Sequence, residues 1–344
     1  ALVTLAARRW HADTPWWACA LAGLLFGLAP IPWAQALVTE VLALQSLLTA
    51  LALVLAVDAA RGRRWPAFAL VLGLLGWNHP TGLAVVVPLA AVALALARPR
   101  PRRLLLPAAC FAAPGIYTVA YLFLRADAPI AWGDTSTLAG VWEHLNGQLY
   151  RHAVDRSPET VLNAIPEALR RSLRQWPPLL WPLLPVGALA ISRVRPALSA
   201  ALGVAVLLVL LFVSSYRVTG REDYLATVAM IGALVIGWGA APALDWLRGV
   251  LPGRVPALPA GTLALGLLAV WLVVNGDEVS RRGDTALRDA AVAQLAEAEP
   301  GAVIVTETDA ETFPLWYAIA VLGERPDVSV VHASGLIPVI GGAP

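Results

Sequence analysis

Long apolar runs separated by short polar breaks occupy the chain up to about residue 275. A helix crosses a bilayer with about 20 mostly apolar residues. Nine runs qualify, near 15–30, 35–57, 65–79, 80–97, 104–124, 177–192, 197–213, 225–243 and 259–275. The pair 65–79 and 80–97 meets at Trp77-Asn78-His79-Pro80-Thr81-Gly82, where Pro and Gly stop a helix. Beyond 275 the periodicity changes. Asp284–Glu299 has helical spacing with many Ala, Ala302–Thr306 reads as a buried strand, 311–322 as a helix, and Val328–Val331 as a second strand. The predicted class is an α-helical polytopic membrane protein. It has about nine spans over 1–275, a large loop at 125–176, and the start of a small α/β segment over 276–344.

Composition agrees: 58% of residues are hydrophobic, 14% are charged, and the mean hydropathy is +0.69. A soluble chain carries about 25% charged residues. The net charge of +2 implies no nucleic-acid partner. Arginines set the orientation, because positive charge stays on the cytoplasmic side. Clusters at Arg8/Arg9, Arg61/Arg63/Arg64, Arg98–Arg103, Arg193/Arg195 and Arg248/Arg254 fall on one face when nine spans are counted. The opposite, exterior face then receives the break at 77–82, the segment 125–176, the loop 214–224 and the tail from 276. The expected location is a bacterial inner membrane with the active face toward the periplasm. The chain opens with Ala inside an apolar pattern and ends at Gly-Gly-Ala-Pro, which suggests an N-terminally shortened fragment.

Candidate chemistry gathers on that exterior face. In 125–176, Thr135 or Ser136 is placed to cap a helix whose first turn lies near Leu138. Trp142, His144, Leu145, Leu149 and Tyr150 then fit an amphipathic helix at the membrane surface. Trp132, Asp134, His144 and Tyr150 also suit a sugar, which offers apolar C–H faces and many hydroxyls; an aromatic belt over a solvated loop is the alternative. Glu40 lies near the exterior end of the second span. An ionisable residue there faces either a partner or a wet cavity, or is hydrated at the interface. His79 stands alone at the exterior break, with no second His or Cys at metal spacing. Arg217 and Arg221 break the positive-inside trend; they bind a lipid phosphate or pair with Glu222 or Asp223. No P-loop, dinucleotide Gly motif, His-Glu-x-x-His or nucleophile elbow occurs. No cofactor is predicted, and the sequence leaves a divalent metal open.

Several segments in order carry a resemblance: Trp33-Ala34-Gln35-Ala36, Thr39–Leu44, Asn78-His79-Pro80-Thr81, Tyr121–Arg125 running into Trp132-Gly133-Asp134-Thr135, His144–Tyr150, Thr308–Tyr317 and Gly323–Val328. Together they resemble a family of multi-spanning proteins long labelled as of unknown function. Its animal member is a protein O-mannosyltransferase of the endoplasmic reticulum, and the family groups with the GT-C glycosyltransferases. The resemblance implies a donor that is a polyprenyl-phosphate sugar, mannose by the family's habit, and an acceptor hydroxyl on protein Ser/Thr or a glycan. It implies that Glu40 and His79 line a cavity under the 125–176 loop and that Arg221 lies near the carrier phosphate. GT-C enzymes place a catalytic acid in the first exterior loop. That loop and its His-Pro-Pro-Gly-like stretch are absent here, so no catalytic base is assigned. A polytopic transporter or flippase, or a non-catalytic assembly protein, is the competing class.

Overall fold

Inside a bilayer the backbone has no water to bond to, so apolar segments close their hydrogen bonds within helices. The chain follows that rule. The computed structural model describes residues 1–38, 41–128, 133–218, 220–250, 260–280, 282–333 and 339–341. Fifteen α-helices and three strands appear among them. They are α1 (Leu2–Trp10), α2 (Trp16–Gly27), α3 (Pro30–Ala36), α4 (Val41–Ala60), α5 (Trp65–Asn78), α6 (Leu83–Ala97), α7 (Leu105–Leu124), α8 (Leu138–Leu145), α9 (Pro158–Leu173), α10 (Leu183–Val194), α11 (Pro196–Ser215), α12 (Ala226–Val250), α13 (Ala260–Val279), α14 (Ala286–Glu297) and α15 (Asp309–Ala320), with β1 (Val303–Thr306), β2 (Ser329–His332) and β3 (Ile340–Gly341). Residues 1–116 and 153–280 form one unit; residues 117–152 and 281–344 form a second.

Among the described residues, five helical stretches are long and apolar enough to cross a membrane: Val41–Ala60, Pro80–Ala97, Pro101–Leu124, Pro196–Ser215 and Arg221–Val250. The bent pairs α2–α3 (62°) and α9–α10 (98°) raise the count to seven if each is one span. The architecture is that of an α-helical, membrane-like fold with five to seven candidate spans among the described residues, and these alone do not make up the nine expected. Helix α5 has 14 residues and α10 has 12. At about 1.5 Å per residue both are shorter than the roughly 30 Å hydrocarbon core. Local breakers set these lengths: Arg64 in the left-handed region and the His79-Pro80 step bound α5, and Pro177, Pro178 and Pro182 precede α10.

In the first unit, three of the arginine clusters converge on one end. Arg9 pairs with Asp58 at 2.8 Å, and Arg64 reaches the same carboxylate at 3.4 Å. Arg195 donates to the Trp10 carbonyl at 2.7 Å. Helix α11 leaves this end at Pro196 and runs 20 residues to Ser215, about 30 Å at helical rise. The loop 214–224 therefore lies at the opposite end.

Helix α12 is the spine of this unit and is buried over nearly all of Ala226–Ala240. Close approach to α10 depends on glycine. A Cβ on Gly187 would overlap the Val235 carbonyl, and one on Gly239 would meet the Leu183 carbonyl. Small residues serve this purpose where helices pack in a membrane. Gly187→Val is expected to destabilise the purified protein by about 1–3 kcal/mol, read as a lower detergent-denaturation midpoint. An unchanged midpoint would refute this contact.

In the second unit, Thr137 caps α8 by accepting from the Gly140 N–H at 3.0 Å. The cap was expected one or two residues earlier; Thr135 instead donates to the Leu122 carbonyl at 3.0 Å. In the tail, β1 and β2 pair in parallel from Val303↔Ser329 to Thr306↔His332, with α15 as the crossover, and β3 adds antiparallel to β2. The expected order of strand, helix and strand is present. Thr308 and Glu311 form a capping box at the start of α15. Arg325 ties the turn before β2 to the end of α14 through the Leu295 and Ala298 carbonyls, at 2.8 and 2.9 Å, and pairs with Asp327 at 2.9 Å.

Candidate functional site

The segment after α8 begins a second amphipathic helix within the stretch 125–176, which the sequence predicts as a loop. Ser157-Pro158-Glu159-Thr160 has the form of a helix start, with Ser at the cap and Pro in the first turn. The cap bond runs from the Thr160 N–H to Ser157 Oγ at 3.4 Å. Two residues earlier, Asp155 accepts from the Ser157 N–H and from Thr160 Oγ1, each at 2.9 Å. An antiparallel bridge, Val154↔Tyr216, fastens this start to the end of α11. Its bonds run from the Asp155 N–H to the Ser215 carbonyl at 2.8 Å and from the Arg217 N–H to the Ala153 carbonyl at 2.7 Å.

Between α9 and the loop that joins α11 to α12 lies a polar pocket of about 630 Å³, whose walls include Asp155, Glu159, Asn163, Glu167, Arg217 and Arg221. Most of its charges are already paired. Arg217 pairs with Asp155 and donates to Thr160 Oγ1 at 2.6 Å. Glu167 is held by Arg170 and Arg171, and Arg171 pairs with Glu222 at 2.6 Å. Arg221 donates Nη1 to the Tyr216 carbonyl at 3.1 Å. Among the described residues no carboxylate lies within ion-pair distance of Arg221. It is the pocket cation left available to an anion, while Glu159 and Asn163 face solvent. Of the two partners expected for Arg221, Glu222 and Asp223, Glu222 pairs instead with Arg171.

Asp155 carries a stability signature. Hydrogen bonds from Ser157 and Thr160 hold its carboxyl down to about 2, with Arg217 adding to them. A folded pKa below the unfolded value stabilises the protein above the unfolded pKa, and that contribution is lost as pH falls toward 2. Between pH 5 and pH 2, Asp155→Asn is expected to lose less stability than the parent protein, measured as the shift in unfolding midpoint; equal losses would remove Asp155 from the acid response.

His79 reaches the same region from the α5–α6 break. Its Nδ1 accepts from the Thr81 N–H at 3.3 Å and lies 2.8 Å from Thr81 Oγ1. Gln45 Nε2 in turn donates to Thr81 Oγ1 at 2.9 Å. The imidazole stacks on Tyr224 with ring centroids 5.0 Å apart, and Tyr224 belongs to the 3-10 turn Arg221–Leu225. His79 therefore abuts the turn that carries Arg221, and a structural role for it is visible.

The other candidates divide between the second unit and positions without description. Asp134 caps its own turn, accepting from the Ser136 N–H at 2.9 Å and from Ser136 Oγ at 2.6 Å. Those bonds hold its carboxyl below the usual range, which makes it a weak base. His144 sits half-buried in the last turn of α8, and Tyr150 lies in the 3-10 turn Gln148–Ala153. Glu40 and Trp132 lie outside the described residues. Among the described residues no three His, Cys, Asp or Glu side chains gather as a metal site. Asp155, Glu159 and Asn163 were not anticipated as pocket residues. The readable signal was the cap at Ser157 followed by apolar positions at helical spacing, Val161, Leu162, Ile165, Ala168 and Leu169.

Comparison with known proteins bears on the tail. Residues 287–337 match the TMEM260-associated domain 2 family. The match points to the TMEM260 family, a membrane protein family linked to O-mannosyltransferase-like proteins. It covers α14, β1, α15 and β2, and with them the Thr308–Tyr317 and Gly323–Val328 segments. No curated protein and no solved structure matches the chain. In the structure the matched motifs act as a capping box and an arginine staple.

Proposed function

We propose that the protein is a GT-C-type membrane glycosyltransferase, moving a sugar from a polyprenyl-phosphate carrier to an acceptor hydroxyl on the exterior face. By the family resemblance the sugar is mannose and the acceptor is protein Ser/Thr. The observation that carries the reading is the polar pocket at the end of the bundle away from Arg9, Arg64 and Arg195, with Arg221 on its wall and, among the described residues, no carboxylate within ion-pair distance of it. The TMEM260-associated match supports the same reading. In the transfer, the bond between the sugar's anomeric carbon and the carrier phosphate breaks as the acceptor oxygen bonds to that carbon. A carboxylate takes the hydroxyl proton, as in inverting glycoside chemistry. The departing phosphate keeps the bonding electron pair, and Arg221 stabilises its charge. Asp155 and Glu167 are already held by other groups, and the base is not assigned to any residue of this chain.

The test uses membranes containing the full-length protein and radiolabelled polyprenyl-phosphate sugars. Transfer of label to protein, absent from membranes without the protein, is the expected result. Absence of transfer with every such donor would overturn the proposal.

A further inference from the structure

Helix α9 presents an apolar face that the first unit does not use. Ala168 and Ser172 are buried, and Ala168 packs in the cluster around Val209 and Val213 of α11. On the adjoining face, Leu162 is 66% exposed and Leu169 is 44% exposed, with Pro166 exposed between them. Positions 162, 165, 166 and 169 recur at three- and four-residue spacing, so they form one stripe. The pocket residues Glu159, Asn163 and Glu167 lie on a different face of the same helix. An exposed leucine stripe of this kind on a soluble protein would call for a partner.

The surroundings say what that partner is. Helix α9 turns 98° away from the segment containing α10. Helix α10 is packed against α12 through Gly187 and Gly239, and α12 is one of the membrane-long helices. Helix α9 therefore lies across the direction of the spans. It sits against the last turns of α11, at the end of the bundle away from the Arg9–Asp58–Arg64 cluster. Arg156 and Arg174 are exposed just beyond its two ends, placed to meet anionic headgroups, while the exposed Arg170 pairs with Glu167. Helices with an apolar stripe, a charged face and flanking arginines bind in the plane of a membrane, buried about 5–10 Å into the boundary between headgroups and acyl chains.

We infer that α9 is a membrane-interface helix: Leu162, Ile165, Pro166 and Leu169 insert into the lipid, and the opposite face holds the pocket wall at headgroup depth. The partner is the bilayer itself. The inference stands whatever reaction the pocket performs, since it rests on the exposed stripe and the bend.

Depth-dependent quenching tests it on the full chain. In a Cys19→Ala/Cys110→Ala background, single cysteines replace Leu162, Leu169, Asn163 or Arg170 and carry an environment-sensitive fluorophore. The protein is reconstituted in phosphatidylcholine–phosphatidylglycerol vesicles. Nitroxide-labelled lipids are expected to quench the probes at 162 and 169 several-fold more than those at 163 and 170, and aqueous iodide is expected to show the reverse order. Iodide quenching of all four probes would overturn the inference by placing the stripe in water. Protection of 162 and 169 from both quenchers would overturn it by placing the stripe under protein. A labelled variant that fails to elute as folded protein is replaced by Ile165→Cys, for which the same outcomes decide.

Discussion

Arg221→Ala in the full-length protein is expected to lower sugar transfer by about 10²–10³-fold, the usual loss when one preorganised donor to a developing negative charge is removed. The expectation rests on how the pocket's cations are used. Arg217 is committed to Asp155 and Thr160, and Arg171 to Glu167 and Glu222. Arg221 gives one bond to a backbone carbonyl and keeps further donors for an anion. Arg221→Lys retains charge without the planar fork and is expected to recover part of the loss. The effect belongs in kcat rather than in KM alone, because charge on the carrier phosphate grows as its bond to the sugar breaks. Unchanged turnover in Arg221→Ala would remove this residue from the mechanism while leaving the labelling assay to decide the reaction itself.

Trp10→Ala carries the largest expected loss of stability, about 3–5 kcal/mol. Trp10 is fully buried, donates Nε1 to the Leu53 carbonyl of α4 at 2.8 Å and stacks on Trp238 of α12 at 6.0 Å. Trp238 donates back to the Ala7 carbonyl of α1 at 3.0 Å. Two indoles thus hold three helices together, and removing one leaves a void that its neighbours fill only in part. Trp10→Phe keeps most of the volume and loses the hydrogen bond, so a smaller loss of about 1 kcal/mol is expected. Denaturation midpoints of the purified variants in detergent check the series. A Phe variant as unstable as the Ala variant would show that the hydrogen bond outweighs the packing.

The legible part of this chain was the part governed by local rules. Apolar runs named the membrane helices, because a lipid-facing backbone has no option but a helix. The tail's alternation named β1, α15 and β2, because a buried strand and a capped helix carry their patterns within a few residues. The helix expected over 311–322 starts two residues earlier, where Thr308 and Glu311 form its capping box. Three of the five arginine clusters also came together at one end of the bundle: Asp58 draws Arg9 and Arg64 together there, with Arg195 on the neighbouring Trp10 carbonyl.

Where single residues have partners far along the chain, only the tertiary structure decided. Arg217 and Arg221 are four residues apart and identical in type, yet one is spent on Asp155 and the other is not. The difference arises because the Val154↔Tyr216 bridge carries Asp155 to Arg217, a contact of long sequence separation that no local pattern records. The same reason separates run length from span count. Prolines and a 98° turn divide the segment 158–194 into two helices, and the packing of Gly187 against α12 sets where the second of them goes. Composition determined that this chain builds long apolar helices suited to a membrane; the long-range contacts determined which of its charges are paired.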